Sequence, residues 1–310
     1  MKMLITIIVP VFNEEANIEL LYQEIQRIIQ PLTQYDFEFI FVNDGSRDRS
    51  WDILIKLSAQ DARIKAISFT RNFGHQMALT AGYDHARGDA IITMDCDMQD
   101  TPQLIIPMLQ EWSRGTAIVY ARRIDRKDTV IKRLTANLYY RLLDTIADVK
   151  IPRNVGDFRL IDRQVLATLK NCHERSRYLR GMVAWTGFPH AFVDFKRPDR
   201  HAGQTGYTWK KMYTLAFDGI TSFSLFPLKL AAYSGFFVII SGAGMFAYIS
   251  YDAIINQTSY PLFKWLVTIL YIFMGVQFIL MWLLGEYIGR IYDQEKGRPL
   301  YIVGKTKNCD

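Results

Sequence analysis

The segment Met94-Asp95-Cys96-Asp97-Met98-Gln99-Asp100 puts three carboxylates and an amide carbonyl into one short stretch, directly after the apolar run Ala90 to Met94. Like charges this close repel unless a cation or surrounding water relieves them. Hard oxygen ligands suit Mg²⁺ or Mn²⁺, and Mg²⁺ commonly binds one or two protein carboxylates together with a substrate's phosphates. An isolated Asp-x-Asp pair is most often a solvated acidic turn. This one stands at the end of a strand-length apolar run, and ligands of open α/β sheets bind outside the carboxyl ends of the strands.

The rest of the N-terminal half supplies such a sheet. Leu4 to Val9, Phe37 to Val42, Ile64 to Phe69, Ala90 to Met94 and Thr116 to Ala121 are short runs rich in Ile, Val and Phe. Helix-length segments at 14–30, 48–60, 75–87 and 102–113 separate them. Strands alternating with helices predict an α/β, doubly wound and mostly parallel sheet. Asp48, before Trp51, Ile53 and Leu54, reads as a helix cap, and Pro102 suits the first turn of the next helix. Neither G-x-G-x-x-G nor G-x-x-x-x-G-K-[ST] follows the first strand, so phosphates need another holder. A metal at Asp95 and Asp97 answers that need.

At 310 residues the chain exceeds one ordinary soluble domain, and the excess is apolar. Leu230 to Tyr251 carries no charge, and neither does Trp265 to Gly285. Each run reaches the roughly 20 residues that cross a ~30 Å hydrocarbon core. Gly235, Ser241, Gly242 and Gly244 in the first suit close helix–helix contact. The connector from Asp252 to Pro261 lacks Lys and Arg, whereas Lys196, Arg197, Arg200, Lys210 and Lys211 precede the first run and Arg290, Lys296, Arg298, Lys305 and Lys307 follow the second. The positive-inside rule then places both termini and the α/β domain in the cytoplasm, with a short hairpin tip outside.

The predicted organisation is a catalytic domain over 1–207, a juxtamembrane amphipathic helix over 208–228, a two-helix transmembrane hairpin over 229–288 and a cytoplasmic tail over 289–310. Within the first domain, Ile131, Leu134, Leu138, Leu142, Ile146 and Val149 form one face of a helix over 129–149. Trp209, Met212, Tyr213, Ala216, Ile220 and Phe223 make a second stripe beside Lys210 and Lys211. Such stripes ordinarily pack on a sheet, but basic, aromatic ones beside a membrane run suit the lipid surface. The net charge of +6 has a cause in anionic headgroups and an anionic substrate, and the basic residues gather beside the membrane rather than on a nucleic-acid platform. The N-terminus enters a strand at once, which predicts no cleavable signal peptide. Three scattered cysteines, Cys96, Cys172 and Cys309, make no metal spacing and fit a reducing compartment.

Several motifs occur together and in order: VPVFNEE at 9–15, FVNDGSRDRS at 41–50, RNFGHQMALTAGYDHARGD at 71–89, MDCDMQD at 94–100, GDFRLIDRQV at 156–165 and GEYIGRIY at 285–292. Their combination resembles the inverting GT-A glycosyltransferases that load sugars onto polyisoprenyl phosphates, a group including dolichol-phosphate mannose synthase. The two-span C-terminal anchor is most similar to the bacterial undecaprenyl-phosphate glucosyltransferases. Processive polysaccharide synthases add a Gln-x-x-Arg-Trp motif and further spans, which are absent here.

The resemblance implies roles. Pro10, Phe12 and Glu14 would form the floor and ribose contact of a nucleotide pocket, and Asp44 would recognise the base. Asp44-Gly45 is equally a turn signal. Asp95, Asp97 and Gln99 would hold the diphosphate through Mg²⁺ or Mn²⁺, with Asp95 also counted among the nucleotide-sugar contacts. Asp157 is the residue assigned as base in this group. A carboxylate beside two phosphates repels them, so an orienting role toward Arg159 or a sugar hydroxyl stands equally open. Arg122, Arg123, Arg133, Arg200 and Lys210 are candidates for gripping the acceptor phosphate, with a solvated surface charge as the alternative for each. The expected activity is transfer of one hexose, glucose from UDP-glucose, to undecaprenyl phosphate. A GDP-mannose or UDP-aminoarabinose donor and a non-catalytic nucleotide-sugar-binding scaffold are the alternatives. Membrane lipids are expected partners, nucleic acid is not, and self-association is left open.

Overall fold

The computed structural model describes residues 2–124, 152, 154–175, 177–195, 251, 255 and 262–309. Its centre is a single sheet built from β1 (Met3–Val11), β2 (Tyr35–Asn43), β3 (Ile64–Phe69), β4 (Ala90–Thr93), β5 (Ile118–Arg123), β6 (Val155–Asp162), β7 (His190–Phe195) and β8 (Val303–Lys307), in the order β7-β5-β6-β4-β1-β2-β3-β8. Strands β3, β2, β1 and β4 run parallel, with Ile5 opposite Phe37 on one side and Ala90 on the other. Helices cover their two faces, so the middle strands bury apolar side chains on both: Ile5, Ile7, Ile8 and Val9 of β1 and Phe39, Ile40, Phe41 and Val42 of β2 are wholly buried, with Thr6 and Glu38 as the buried polar exceptions.

The connecting helices are α1 (Ile18–Ile29), α2 (Ser50–Gln60), α3 (His75–His85) and α4 (Ile105–Ser113), the last entered through a 3₁₀ turn at Pro102–Leu104. Helix α1 buries Ile18, Leu21, Ile25, Ile28 and Ile29, a single face at helical spacing. Asp48 stands one residue outside the start expected of it: its carboxylate accepts the Ser50 and Glu15 amides at 3.0 and 3.1 Å, tying the α2 entry to the β1–α1 loop. Helices α5 (Arg163–Lys170) and α6 (Leu179–Trp185) follow β6. Asp162 caps α5 by accepting the Gln164 amide.

Two strands depart from the sequence reading. β6 runs antiparallel to both β4 and β5, so the sheet is mixed at that point. The segment 289–310, expected to be a tail, instead contributes β8, which pairs antiparallel with β3 from Ala66↔Lys307 to Phe69↔Val303. Its exposed, lysine-bearing pattern is that of an edge strand, which charge keeps from pairing further.

The α/β unit takes in Arg298–Asp310; helix α7 (Leu262–Glu295) belongs to a second compact unit. Among the described residues no helix is long and apolar enough to cross a membrane. Helix α7 overlaps the second uncharged run, whereas residues 230–250 of the first run, the 129–149 helix and the 208–228 helix lie outside the described residues.

Candidate active site

The acidic loop leaves β4 at its carboxyl end, between the outer strands and β1. Asp97 and Asp100 are buried, Asp95 is half-buried, and Met98 sits at φ +60°, a left-handed conformation costly for a side chain this large. The loop is tied internally: the Asp95 amide donates to Asp100 Oδ2 at 2.9 Å, and the Gln99 amide to Asp97 Oδ1 at 3.1 Å. Asp100 Oδ1 is buried without a hydrogen-bond partner. Burial, and next the charge of Asp95, push the Asp100 carboxyl up to about 7. Burial also raises Asp95, a rise that His75 partly offsets and the charges of Asp157 and Asp97 reinforce.

The reversal of β6 brings a fourth carboxylate to this end. Because β6 is antiparallel to β4, its first residues lie where β4 finishes: Arg159 is opposite Thr93, and the Thr93 hydroxyl donates to the Asp157 carbonyl. Asp157 is nearly sealed, and both its oxygens are occupied. Arg159 Nη2 donates to Oδ1 at 2.5 Å; Arg180, on α6, donates through Nε to Oδ1 at 3.1 Å and through Nη2 to Oδ2 at 2.8 Å. His75 Nε2 lies 3.4 Å from Asp157 Oδ2 and 3.6 Å from Asp95 Oδ1, bridging the two carboxylates. Burial acts to raise Asp157, but Arg180, His75 and Arg159 outweigh it and hold the carboxyl well below the usual range. Burial likewise opposes the charge on His75, and the Asp157 hydrogen bond with the two carboxylate charges overrides it, raising the imidazole to about 9.

His75 owes its place to the β3–α3 loop. Gly74, at φ +100°, precedes it, and Asp44 accepts the Phe73 amide at 2.7 Å and the Gly74 amide at 2.9 Å. Gly45 lets the two loops touch, since a Cβ there would stand 2.4 Å from the Arg71 carbonyl carbon. Asp44 is a buried acid at the strand ends, next to the bend at Gly45. Burial raises its carboxyl, a rise the Phe73 and Gly74 amides offset only in part.

The other expected site residues divide. Pro10 is buried in β1 opposite Val42, Phe12 is exposed just beyond it, and Glu14 Oε2 accepts the Asn17 side-chain amide at 2.5 Å. Arg123 reaches the floor of the cluster: its Nη2 lies 3.1 Å from where a Cβ on Gly156 would sit, and its charge acts on Asp100. Arg122 is committed elsewhere, in a two-pronged pair with Asp194 at 2.6 and 2.9 Å and over the Phe192 ring. Arg133, Arg200 and Lys210 lie outside the described residues. Sequence reasoning missed His75 and Arg180. Each is one cation among several in its stretch, and only the reversed β6 reveals their shared partner.

Hard oxygens of one sign, two of them on acids whose charge is penalised, are a donor set suited to a divalent cation. Among the described residues no three His, Cys, Asp or Glu side chains enclose a metal unaided.

Residues 6–170 match the family described as glycosyl transferase family 2, and the chain belongs to that family. It is 42% identical to the prophage bactoprenol glucosyl transferase homolog of Escherichia coli K12, over 98% of this chain and 100% of that protein. It is also 42% identical to the bactoprenol glucosyl transferase of Shigella phage SfII, over 98% of each. Among solved structures, mannosyl-3-phosphoglycerate synthase from Rubrobacter xylanophilus shares the fold with a TM-score of 0.50 at 15% identity, over 71% of this chain and 72% of that one. The resemblance carried by the motifs thus holds over nearly the whole chain, on a GT-A-like mixed sheet, and the chain is a glycosyltransferase.

Proposed function

We propose that this enzyme transfers one hexose, glucose from UDP-glucose, to undecaprenyl phosphate with inversion at the anomeric carbon. The observation that carries the reading is the unequal treatment of neighbouring carboxylates. Asp95 and Asp100 are short of positive charge, whereas Asp157 beside them is saturated by Arg159, Arg180 and His75. The first group suits a cation with a diphosphate, and the second suits orienting groups near the sugar. The relatives named as bactoprenol glucosyl transferases support the choice of acceptor and sugar.

Asp95, Asp97 and Gln99 would hold Mg²⁺ or Mn²⁺, which when bound stabilises negative charge on the departing nucleoside diphosphate. Asp157 keeps Arg180 and His75 in place rather than accepting a proton, since a carboxyl held this low is a poor base. The acceptor needs none: a phosphate monoester is already anionic at neutral pH. A phosphate oxygen of the lipid forms the new bond to the anomeric carbon as the bond to UDP breaks, and the electron pair leaves with the diphosphate.

The uncharged runs at 230–251 and 265–285 form a membrane hairpin in this reading, with the α/β unit and both termini cytoplasmic. Leu266, Leu270, Phe273, Ile279, Met281, Leu284 and Ile288 of α7 are all exposed, a burden that lipid removes. Purified protein given undecaprenyl phosphate and a panel of labelled nucleotide sugars tests the chemistry. Label moving to lipid from UDP-glucose is expected, and transfer from another donor alone overturns the sugar assignment. For topology, Asn256→Cys reacts with an impermeant thiol reagent on intact cells and Lys307→Cys does not; the reverse pattern refutes the orientation.

A further inference from the structure

The segment carrying β8 reaches toward the site by a route separate from the sheet ladder. Just before β8, the Thr70 amide donates to the Ile302 carbonyl at 3.1 Å. The preceding residue, Tyr301, stacks on Phe69 with ring centroids 4.9 Å apart and planes at 22°. Phe69 in turn meets Phe73 edge-on at 5.6 Å. Phe73 is the residue whose amide Asp44 accepts, and His75 follows two positions later as the first residue of α3. At the other end of that helix, the Tyr301 hydroxyl donates to Asp84 Oδ2 at 2.8 Å. Tyr301 therefore holds α3 directly near its last turn and reaches the loop before its first turn through Phe69 and Phe73.

The brace is itself anchored on both sides. Arg175 Nη2 donates to the Arg298 carbonyl at 2.5 Å, and Asn308 Nδ2 donates to the carbonyls of Ser58 and Ile64 at 2.9 and 3.0 Å. A strand that merely covered the β3 edge would need neither the ring stack nor the bond to Asp84. What depends on this bracing is fine placement. His75 meets Asp157 and Asp95 at 3.4 and 3.6 Å, near the outer limit of such contacts, so a small shift of α3 breaks them.

We propose that Tyr301 is a positioning residue for the active site: through Phe69 and Phe73 at one end of α3, and Asp84 at the other, it sets where His75 meets Asp95 and Asp157. The inference rests on reading that cluster as the active site, but its first test does not. Amide hydrogen exchange on the full chain in detergent compares wild type, Tyr301→Leu and Tyr301→Phe. In Tyr301→Leu the Phe73 and Gly74 amides exchange at least about tenfold faster while β1 amides keep their protection. In Tyr301→Phe, which retains the stack, Phe73 and Gly74 stay within about threefold of wild type. Unchanged exchange at Phe73 and Gly74 in Tyr301→Leu overturns the proposal. So does a rise shared equally by β1, which marks general destabilisation, and so does loss of protection at Phe73 and Gly74 in Tyr301→Phe.

Kinetics supply the second test. Tyr301→Leu lowers kcat on the order of tenfold, and adding His75→Gln to it costs less than about threefold more, because the histidine is already misplaced. Multiplicative losses in the double variant overturn the proposal. Should wild-type protein transfer no hexose to lipid phosphate, the functional reading fails while the exchange result still decides the role of Tyr301.

Discussion

Glu38, toward the amino ends of the parallel strands, and the loop acids Asp95 and Asp100, at their carboxyl ends, are treated in opposite ways. At the amino end Glu38 is enclosed and fully served: Lys65 Nζ donates to Oε2 at 2.6 Å, and the Thr6 hydroxyl and Arg87 amide donate to Oε1 at 2.5 and 2.8 Å. Burial acts to raise its carboxyl, and those donors more than offset it, leaving Glu38 below the usual value. At the carboxyl end Asp95 and Asp100 are raised, and one Asp100 oxygen has no hydrogen-bond partner among the described residues. Charge satisfied from within holds a fold together. Charge left unsatisfied is available to something that arrives from outside.

That contrast breaks most sharply at Asp97. Asp97→Asn removes the charge proposed to hold the cation while keeping size, so transfer should fall on the order of a thousandfold with folding intact. Titrating UDP with and without Mn²⁺ is the check, and unchanged metal-dependent binding in the variant removes the metal from the site. Asp100 supplies the second contrast. Its folded carboxyl, at about 7, lies above the ordinary 3.8, so its contribution to stability is full below 3.8 and is lost as pH rises through 7. With chelator present, denaturant titrations should show wild type losing up to ~4 kcal/mol between pH 4 and 8 relative to Asp100→Asn. A constant difference across that range would mean that the acid is not raised.

At the other end, Glu38→Gln should leave kcat of the folded protein unchanged but cost about 1–3 kcal/mol of stability, because Lys65 keeps its charge and loses its partner. For Glu38, held below its ordinary value, the contribution is present above the unfolded value and lost as pH falls through the folded one. The Glu38→Gln deficit should therefore shrink in acid. The smallest effect belongs to Arg122, whose partner Asp194 is as exposed as it is. Arg122→Ala should change kcat/KM less than about twofold, measured with the lipid acceptor varied.

The parallel half of the sheet was readable because β1 to β4 are short runs rich in Ile, Val and Phe separated by helix-length segments. Strand β6 was not, although its residues were singled out as a motif. Val155-Gly156-Asp157-Phe158-Arg159 interleaves buried charge with apolar side chains, and Arg159 is wholly buried only because Asp157 is its partner. The motif offered the Asp157–Arg159 pairing as one role, but no local pattern announces the reversal of the strand. The same pairing hid His75 and Arg180, each one cation among several until β6 reverses and delivers Asp157 to them. β8, with two lysines in five exposed residues, has the composition of a tail; its partner strand lies more than two hundred residues away.

That distance gives the sheet a timetable. β3 emerges from the ribosome early, but the strand that covers its edge is made only after residues 230–285 have been synthesised. Until then β3 presents an open ladder, the kind of edge on which nascent chains misassociate. The α/β unit therefore completes its sheet only after residues 230–285 have left the ribosome, so the closing step of its folding waits on synthesis of both uncharged apolar runs.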